Sequence, residues 1–221
     1  MLPGAVIAQG VTQQATGSEP ILEEIVVTAR KFEESLQDVP IAVTVLDGQE
    51  LADSNIFDLS QIAGRVPSLT WQSHNTQNSE ISLRGIGTIR NFGPAGDPSV
   101  GTFLDEIYIG RRGSATPPLF DLERVEVLRG PQGTLFGKNV VGGALSIVTA
   151  KPQFEKGGSF HVGAGNYSAI QSRGHITGPL SDSVALRFAF YQEKHDGYAE
   201  NIVFGEELED LEAYAGRFSL A

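Results

Sequence analysis

The chain has 221 residues, of which 40% are hydrophobic and 19% charged, with a formal net charge of −11 and no cysteine. That is enough apolar material for one or two cores, and the missing cysteine excludes disulfides and thiolate metal sites. With 2 basic against 10 acidic residues over Met1–Ser60, the N-terminal third excludes the basic face that nucleic acid demands.

No run of about 18 apolar residues occurs, which excludes a membrane-spanning helix and leaves a β-barrel open, because barrel strands are short and only alternately apolar. Met1–Gly10 reads either as the tail of a secretory signal, with Val6-Ile7-Ala8 offering small residues for cleavage, or as a disordered terminus. The positive leader and most of the apolar stretch are missing, so a fragment or an internal start is expected. Gly10–Pro20 is polar and aperiodic, a flexible lead; residues 1–22 are assigned to remnant and lead.

Glu23-Glu24-Ile25-Val26-Val27-Thr28-Ala29 favours a strand but has no sequence neighbour to pair with. It is either an ordinary edge strand or an extended peptide to be captured by a partner's sheet edge, and it is expected to be loosely packed. Ile41–Leu46 alternates as a strand ended by Asp47-Gly48. From Gln49 the spacing of Leu51, Ile56, Leu59, Ile62 and Ala63 turns helical, with Asp53-Ser54 as an interruption and Asp58 as a cap, giving two short helices. Ile81–Gly87 reads as a strand entering a glycine turn and Val100–Ile109 as a hairpin turning at Asp105-Glu106. Ser73–Ser79 and Thr88–Ser99 read as loops.

Leu119–Thr149 organises the rest. Val125, Val127 and Leu128 form a β-favouring run that Arg129-Gly130-Pro131 stops, since Pro donates no backbone hydrogen bond. Glycines through Gly143 leave too little side-chain volume for an amphipathic helix, so irregular backbone returns to a strand at Ala144–Thr149, in one mixed sheet with Ile41–Leu46. A phosphate-cradling loop at Gly137-Lys138 fails, because Gln132 stands where glycine is required and Asn139 where the hydroxyl should be.

After Lys151-Pro152 the period is two. Val184, Leu186, Phe188 and Phe190 share one face and Ala185, Arg187, Ala189 and Tyr191 the other; Ser159–Ala164, Ile170–Thr177 and Tyr214–Ala221 repeat the scheme. A soluble sandwich would alternate likewise. Arg173, Arg187, Arg217, His161 and His175 on the polar face, a short turn at Gly178–Asp182 and a long acidic loop at Lys194–Asp210 suit a barrel with an apolar outside and a wet lumen. On that reading an Arg at Phe188 is costly and an Arg at Ala189 is cheap. Catalysis has no support: His74, His161, His175 and His195 share no His-Glu-x-x-His spacing, and there is no Gly-x-Ser-x-Gly. No catalytic residue, metal ligand or cofactor is assigned.

Glu123-Arg124-Val125-Glu126-Val127, then Arg129–Gly137 (RGPQGTLFG), then Gly142-Gly143-Ala144 closely resemble the end of the plug domain in TonB-dependent outer-membrane receptors. Lys138 and Val140-Val141 are mild departures, and Glu106, where the family usually has glycine, puts the tight turn type in question. The resemblance implies an α+β plug over 37–152, a small mixed sheet with short helices, followed over 153–221 by about four antiparallel strands of a truncated 22-strand transmembrane β-barrel. Over 23–36 it implies a TonB box (Glu24, Ile25, Val26, Val27, Thr28, Ala29) with its linker, pulled by a TonB-type periplasmic energy-transducing protein. It implies substrate contacts at Arg84, Arg90, Asn91, Phe92, Tyr108, Arg111 and Phe120, since Arg forks suit chelate oxygens. Structural or locking roles go to Arg84, Gly85, Glu123, Arg124, Glu126, Arg129, Gly130, Pro131, Gly142 and Gly143. The expected setting is the outer membrane of a Gram-negative bacterium, with its lipid and an iron chelate as further partners. The alternatives are a passive or structural outer-membrane or secreted β-protein, and a receptor for cobalamin, a nickel chelate or a saccharide.

Overall fold

The computed structural model describes residues 26–27, 34–37, 39–75, 78–88, 98–110, 118–138, 140–201 and 206–221. The lead over 1–22, and Glu24, Ile25, Thr28, Ala29, Arg90, Asn91, Phe92 and Arg111, lie outside these residues. Strand β1 (Val26–Val27) pairs antiparallel with β2 (Glu34–Ser35). This corrects the expectation of a loosely packed segment without a partner: Val27 is fully buried, clustered with Phe103, Leu128, Val140 and Ala144.

β3 (Ala42–Asp47) runs into helix α1 (Gly48–Asp53). The cap of α1 is Asp47, whose carboxylate accepts from the Gln49 and Glu50 amides at 2.7 and 3.2 Å, satisfying first-turn donors. Gly48 is required at this junction, because a Cβ there would lie 2.0 Å from the Leu122 carbonyl oxygen. Asp58 caps α2 (Leu59–Ala63) as expected, in a reciprocal capping box with Gln61. Leu51, Ile56, Leu59, Ile62 and Val66 then pack on Val125, Val127, Leu145 and Ile147 of the sheet.

β4 (Leu69–Asn75) and β5 (Asn78–Leu83) form a two-stranded hairpin. The loop expected at Ser73–Ser79 is thereby corrected: its turn-forming residues are carried into the ladder by pairs such as Trp71–Ile81 and Gln72–Glu80. β6 (Val100–Leu104) and β7 (Ile107–Tyr108) make the expected hairpin. Asp105 and Glu106 have φ of 46° and 67°, so the tight two-residue turn with both centres left-handed survives without glycine. Asp105 is held by its carboxylate, which accepts from the Thr149 amide at 2.8 Å and hydroxyl at 2.9 Å.

β8 (Leu122–Arg129), a single helical turn α3 (Gly133–Phe136) and β9 (Gly143–Thr149) complete a five-stranded mixed sheet of order β3-β8-β9-β6-β7, parallel only between β6 and β9. The crossing between β8 and β9 is otherwise irregular, closed by Gly130 N–H to the Gly142 carbonyl at 3.1 Å and Gln132 N–H to that of Val140 at 2.9 Å. Gly143 passes so close that a Cβ would meet the Leu128 oxygen at 2.3 Å.

A second, four-stranded antiparallel sheet follows: β10 (Gly157–Ala164), β11 (Ile170–Ser181), β12 (Val184–His195) and, after the small hairpin β13 (Ala199–Asn201) and β14 (Glu206–Leu208), β15 (Leu211–Leu220). The strands outrun the sequence expectation. β11 continues past Gly178 through a register shift at Pro179, where the ring's missing donor is tolerated, and the turn shrinks to Asp182-Ser183. Phe160, Ile176, Phe188 and Phe218 lie exposed on the outer face. On β12 the opposite face is not wet: Ala185, Arg187, Ala189 and Tyr191 are buried against the N-terminal domain, whereas Ser159 and His161 of β10 on the same face are exposed. An Arg at Ala189 would therefore meet packed rings and not an aqueous lumen. Among the described residues no helix is long and apolar enough to cross a membrane.

Candidate functional site

The contact between the two sheets is built around Asp121, immediately before β8. Its Oδ2 accepts from Arg187 Nε at 2.8 Å while Oδ1 pairs with Nη2 of the same guanidinium, a two-pronged contact with side-chain exposures of 6% and 7%. The backbone around it is engaged too: Arg217 Nη1 donates to the Phe120 and Asp121 carbonyls at 3.3 and 3.2 Å. His175 Nδ1 stands 3.7 Å from Asp121 Oδ1 and 3.0 Å from the Ser159 hydroxyl.

Aromatic rings complete the contact. Arg217 lies 4.7 Å over Phe120 and Arg173 4.6 Å over Phe57, each a planar cation on a π-face. Arg173 Nη2 also donates to the Ala52 carbonyl on α1 at 2.9 Å. Tyr191 packs 5.3 Å from Phe57 and 6.1 Å from Phe120, with Ala189 and Ala215 filling the gaps. Strand alternation places these side chains together, since Arg173 opposes Tyr191 and Ala189 opposes both His175 and Arg217. The arrangement ties the domain to the second sheet through a small apolar patch and a set of charged hydrogen bonds.

The residues expected to lock the structure act mainly inside the domain. Arg124 bridges Glu123 and the fully buried Glu126, its Nε donating to Glu126 Oε1 at 2.7 Å. Arg129 donates to the Thr44 hydroxyl across the β3–β8 pair. Gly130, Pro131 and Gly142 belong to the crossing and Gly143 opens β9. Arg84, at φ 53° before Gly85, is exposed, and its amide donates to the Ser68 carbonyl at 2.9 Å.

Of the expected substrate contacts, Arg84 is exposed after β5, and Tyr108 is exposed on edge strand β7, its ring 5.4 Å from Phe103. Phe120 is a correction. It is 6% exposed beneath Arg217 and beside Tyr191, so it serves the inter-sheet contact and is not the exposed aromatic that was expected. The Thr88 hydroxyl meets the Ser99 hydroxyl and amide, both at 2.8 Å; Arg90, Asn91, Phe92 and Arg111 lie outside the described residues. Asp121 and Phe57 were not singled out in the sequence, and Tyr191 was named only as a member of the inner strand face. The available signal was an Asp just ahead of a strand in a chain whose later strands carry Arg on alternate positions. Among the described residues no group of three His, Cys, Asp or Glu could hold a metal.

Comparison with known proteins places these features. The family model of the TonB-dependent receptor plug domain matches residues 35–144. The chain is similar to the pesticin receptor of Yersinia enterocolitica, with 30% identity over 83% of this chain and 26% of that protein. It is also similar to a vitamin B12 transporter of Vibrio vulnificus, 28% identical over 82% of this chain and 29% of that one. The crystal structure of the ferric yersiniabactin uptake receptor from Yersinia pestis superposes with a TM-score of 0.74 at 29% identity, covering 81% of this chain and 28% of that one. The chain thus spans about a quarter of the length of the curated relatives it matches.

Proposed function

Residues 35–144 are a TonB-dependent receptor plug domain, and from that premise we propose that the protein is an outer-membrane receptor for active uptake of a scarce ligand, of which a ferric chelate is the best-supported class. The observation that carries this reading is the two-sided character of the second sheet: an outer face bearing exposed Phe160, Ile176, Phe188 and Phe218, and an inner face whose Arg and aromatic residues grip the plug. An apolar outer band suits lipid. A grip made largely of charged hydrogen bonds can be exchanged for water when the plug is displaced, which an oily interface resists.

The energy-transducing partner in this reading is a TonB-type periplasmic protein acting on Glu24–Ala29. Val27 is seated in the apolar cluster on the plug sheet, and withdrawing it exposes a valine at a cost of about 1.5–3 kcal/mol, small enough for a partner to supply. Such a pull would reach the β8–β9 crossing directly, because Leu128, Val140 and Ala144 surround Val27. Arg84, Arg90, Asn91, Phe92, Tyr108 and Arg111 remain the candidate ligand contacts. The ferric yersiniabactin receptor supports an iron chelate, and the vitamin B12 transporter keeps a cobalamin-type ligand as the second reading. Deleting Glu24–Ala29 from the complete protein tests the proposal: surface binding of the ligand is expected to persist while uptake is lost. Undiminished uptake by the deletion would identify a passive outer-membrane protein.

A further inference from the structure

Between α1 and the inner face of β10 and β11 lies a cleft of about 120 Å³. Its inner-sheet side is built by two rungs of the ladder, Ser159 opposite His175 and His161 opposite Arg173. Arg187 and the Asp121 carboxylate also line it, but they are committed to each other as a two-pronged pair that leaves no net charge. Arg173 is not committed in the same way. One of its amino groups is used on the Ala52 carbonyl, whereas Nη1 is buried and has no hydrogen-bond partner. Among the described residues no carboxylate lies within 4.0 Å of this guanidinium, and the one whose charge acts on it, Asp53 at the end of α1, is exposed to solvent and makes no ion pair with it.

We propose that this cleft is an oxyanion-binding site in which Arg173, flanked by His161 and the Ser159–His175 pair, takes a carboxylate or phosphate group. Guanidinium donors leave water favourably only for an acceptor, and a charged acceptor gives the strongest bond. The volume is right for one such group, since a liquid water occupies about 30 Å³ and the cleft is about four times that. His161 and the Ser159–His175 pair, which keeps one free donor whichever way its own hydrogen bond runs, stand beside the guanidinium, so a planar or tetrahedral anion meets more than one contact. The site stands on this geometry alone. That the anion is the acidic arm of a chelate passing between plug and sheet rests on the receptor reading; a free anion has the same chemistry.

The test is calorimetric titration of the detergent-solubilised complete protein with inorganic phosphate and with citrate at constant ionic strength. Wild type is expected to bind, Arg173→Gln to raise the midpoint by about tenfold or more, and Lys194→Gln, which removes an exposed charge outside the cleft, to leave it unchanged. Equal midpoints for wild type and Arg173→Gln, or an equal rise in Lys194→Gln, would overturn the site. Should Arg173→Gln fail to assemble, His161→Gln carries the measurement, with a raised midpoint expected and an unchanged one overturning it. Cells then separate the two sources. A loss of uptake in Arg173→Gln confined to a negatively charged chelate, with a neutral chelate unaffected, assigns the anion to the transported ligand, and unaltered uptake of both assigns it to a free anion. Uptake that does not need Glu24–Ala29 would remove the receptor reading and leave the titration standing.

Discussion

Asp121 grips Arg187 with both carboxylate oxygens at a site where each side chain is less than a tenth exposed. Breaking a buried pair by removing one partner is far more damaging than the pair is stabilising, because the remaining charge stays desolvated. Asp121→Ala in the complete protein is therefore expected to destabilise the plug–sheet contact by about 3–5 kcal/mol. The checks are chemical denaturation and protease sensitivity of the 150–156 connection. Because Arg217 binds backbone carbonyls and not the carboxylate, Arg217→Ala should cost less, and an equal effect of the two substitutions would refute this ranking.

Two glycines of the plug give contrary expectations. An alanine at Gly48 places its Cβ 2.0 Å from the Leu122 oxygen, so α1 and β8 must separate, at a cost of about 1–3 kcal/mol or more. Gly133, in the single turn of α3, has nothing within 4 Å of the position its Cβ would take. Gly133→Ala is expected to stabilise by about 0.5–1 kcal/mol through helix preference. Thermal unfolding of both variants measures the difference in sign.

Local order was legible where it depends on local chemistry. The alternation of Val184–Tyr191 assigned every side chain of that strand to the face it occupies, because the period of two is a property of the strand itself. Asp58 announced its cap for the same reason, and the structure adds the reciprocal bond from Gln61. What covers a face is not local. Nothing near Ala189 in the chain reveals Phe57 and Phe120 lying against it, so a buried inner face was taken for a wet one. Val27 shows the same limit, since Phe103, Leu128, Val140 and Ala144, which bury it, lie far along the chain. The Ser73–Asn75 stretch was missed for a different reason, its turn-forming residues hiding a partner strand only a few residues away.

Glu106 holds φ at 67° in a two-residue turn where glycine carries no Cβ penalty. Glu106→Gly should stabilise the plug by about 0.5–1.5 kcal/mol, the relief of left-handed strain less the extra freedom of glycine in the unfolded chain. Asp105→Gly should do the opposite despite the same backbone relief, since it deletes the carboxylate that binds the Thr149 amide and hydroxyl. Denaturation midpoints of the two variants give the test, and a shift in the same direction for both would count against it.

The strand β12 offers the most direct test of the membrane reading, because these 221 residues hold no cysteine and single thiols are easily placed in a cysteine-free background. Cysteines at Leu186, Phe188 and Phe190 in the complete protein are expected to react with bilayer-restricted reagents, since that face presents Phe188 at 43% exposure alongside the exposed Phe218 of β15. Cysteines at Ala185 and Ala189, which are 0% and 1% exposed, should react slowly with water-soluble reagents while the plug is seated. Combining Ala189→Cys with Asp121→Ala should accelerate the aqueous reaction, because loosening the Arg187 contact admits water beneath Phe120. Fast aqueous labelling at 186, 188 and 190 would remove the lipid-facing assignment. Slow labelling at 189 unchanged by Asp121→Ala would show instead that the aromatic packing of Phe57, Phe120 and Tyr191 holds the plug without the ion pair.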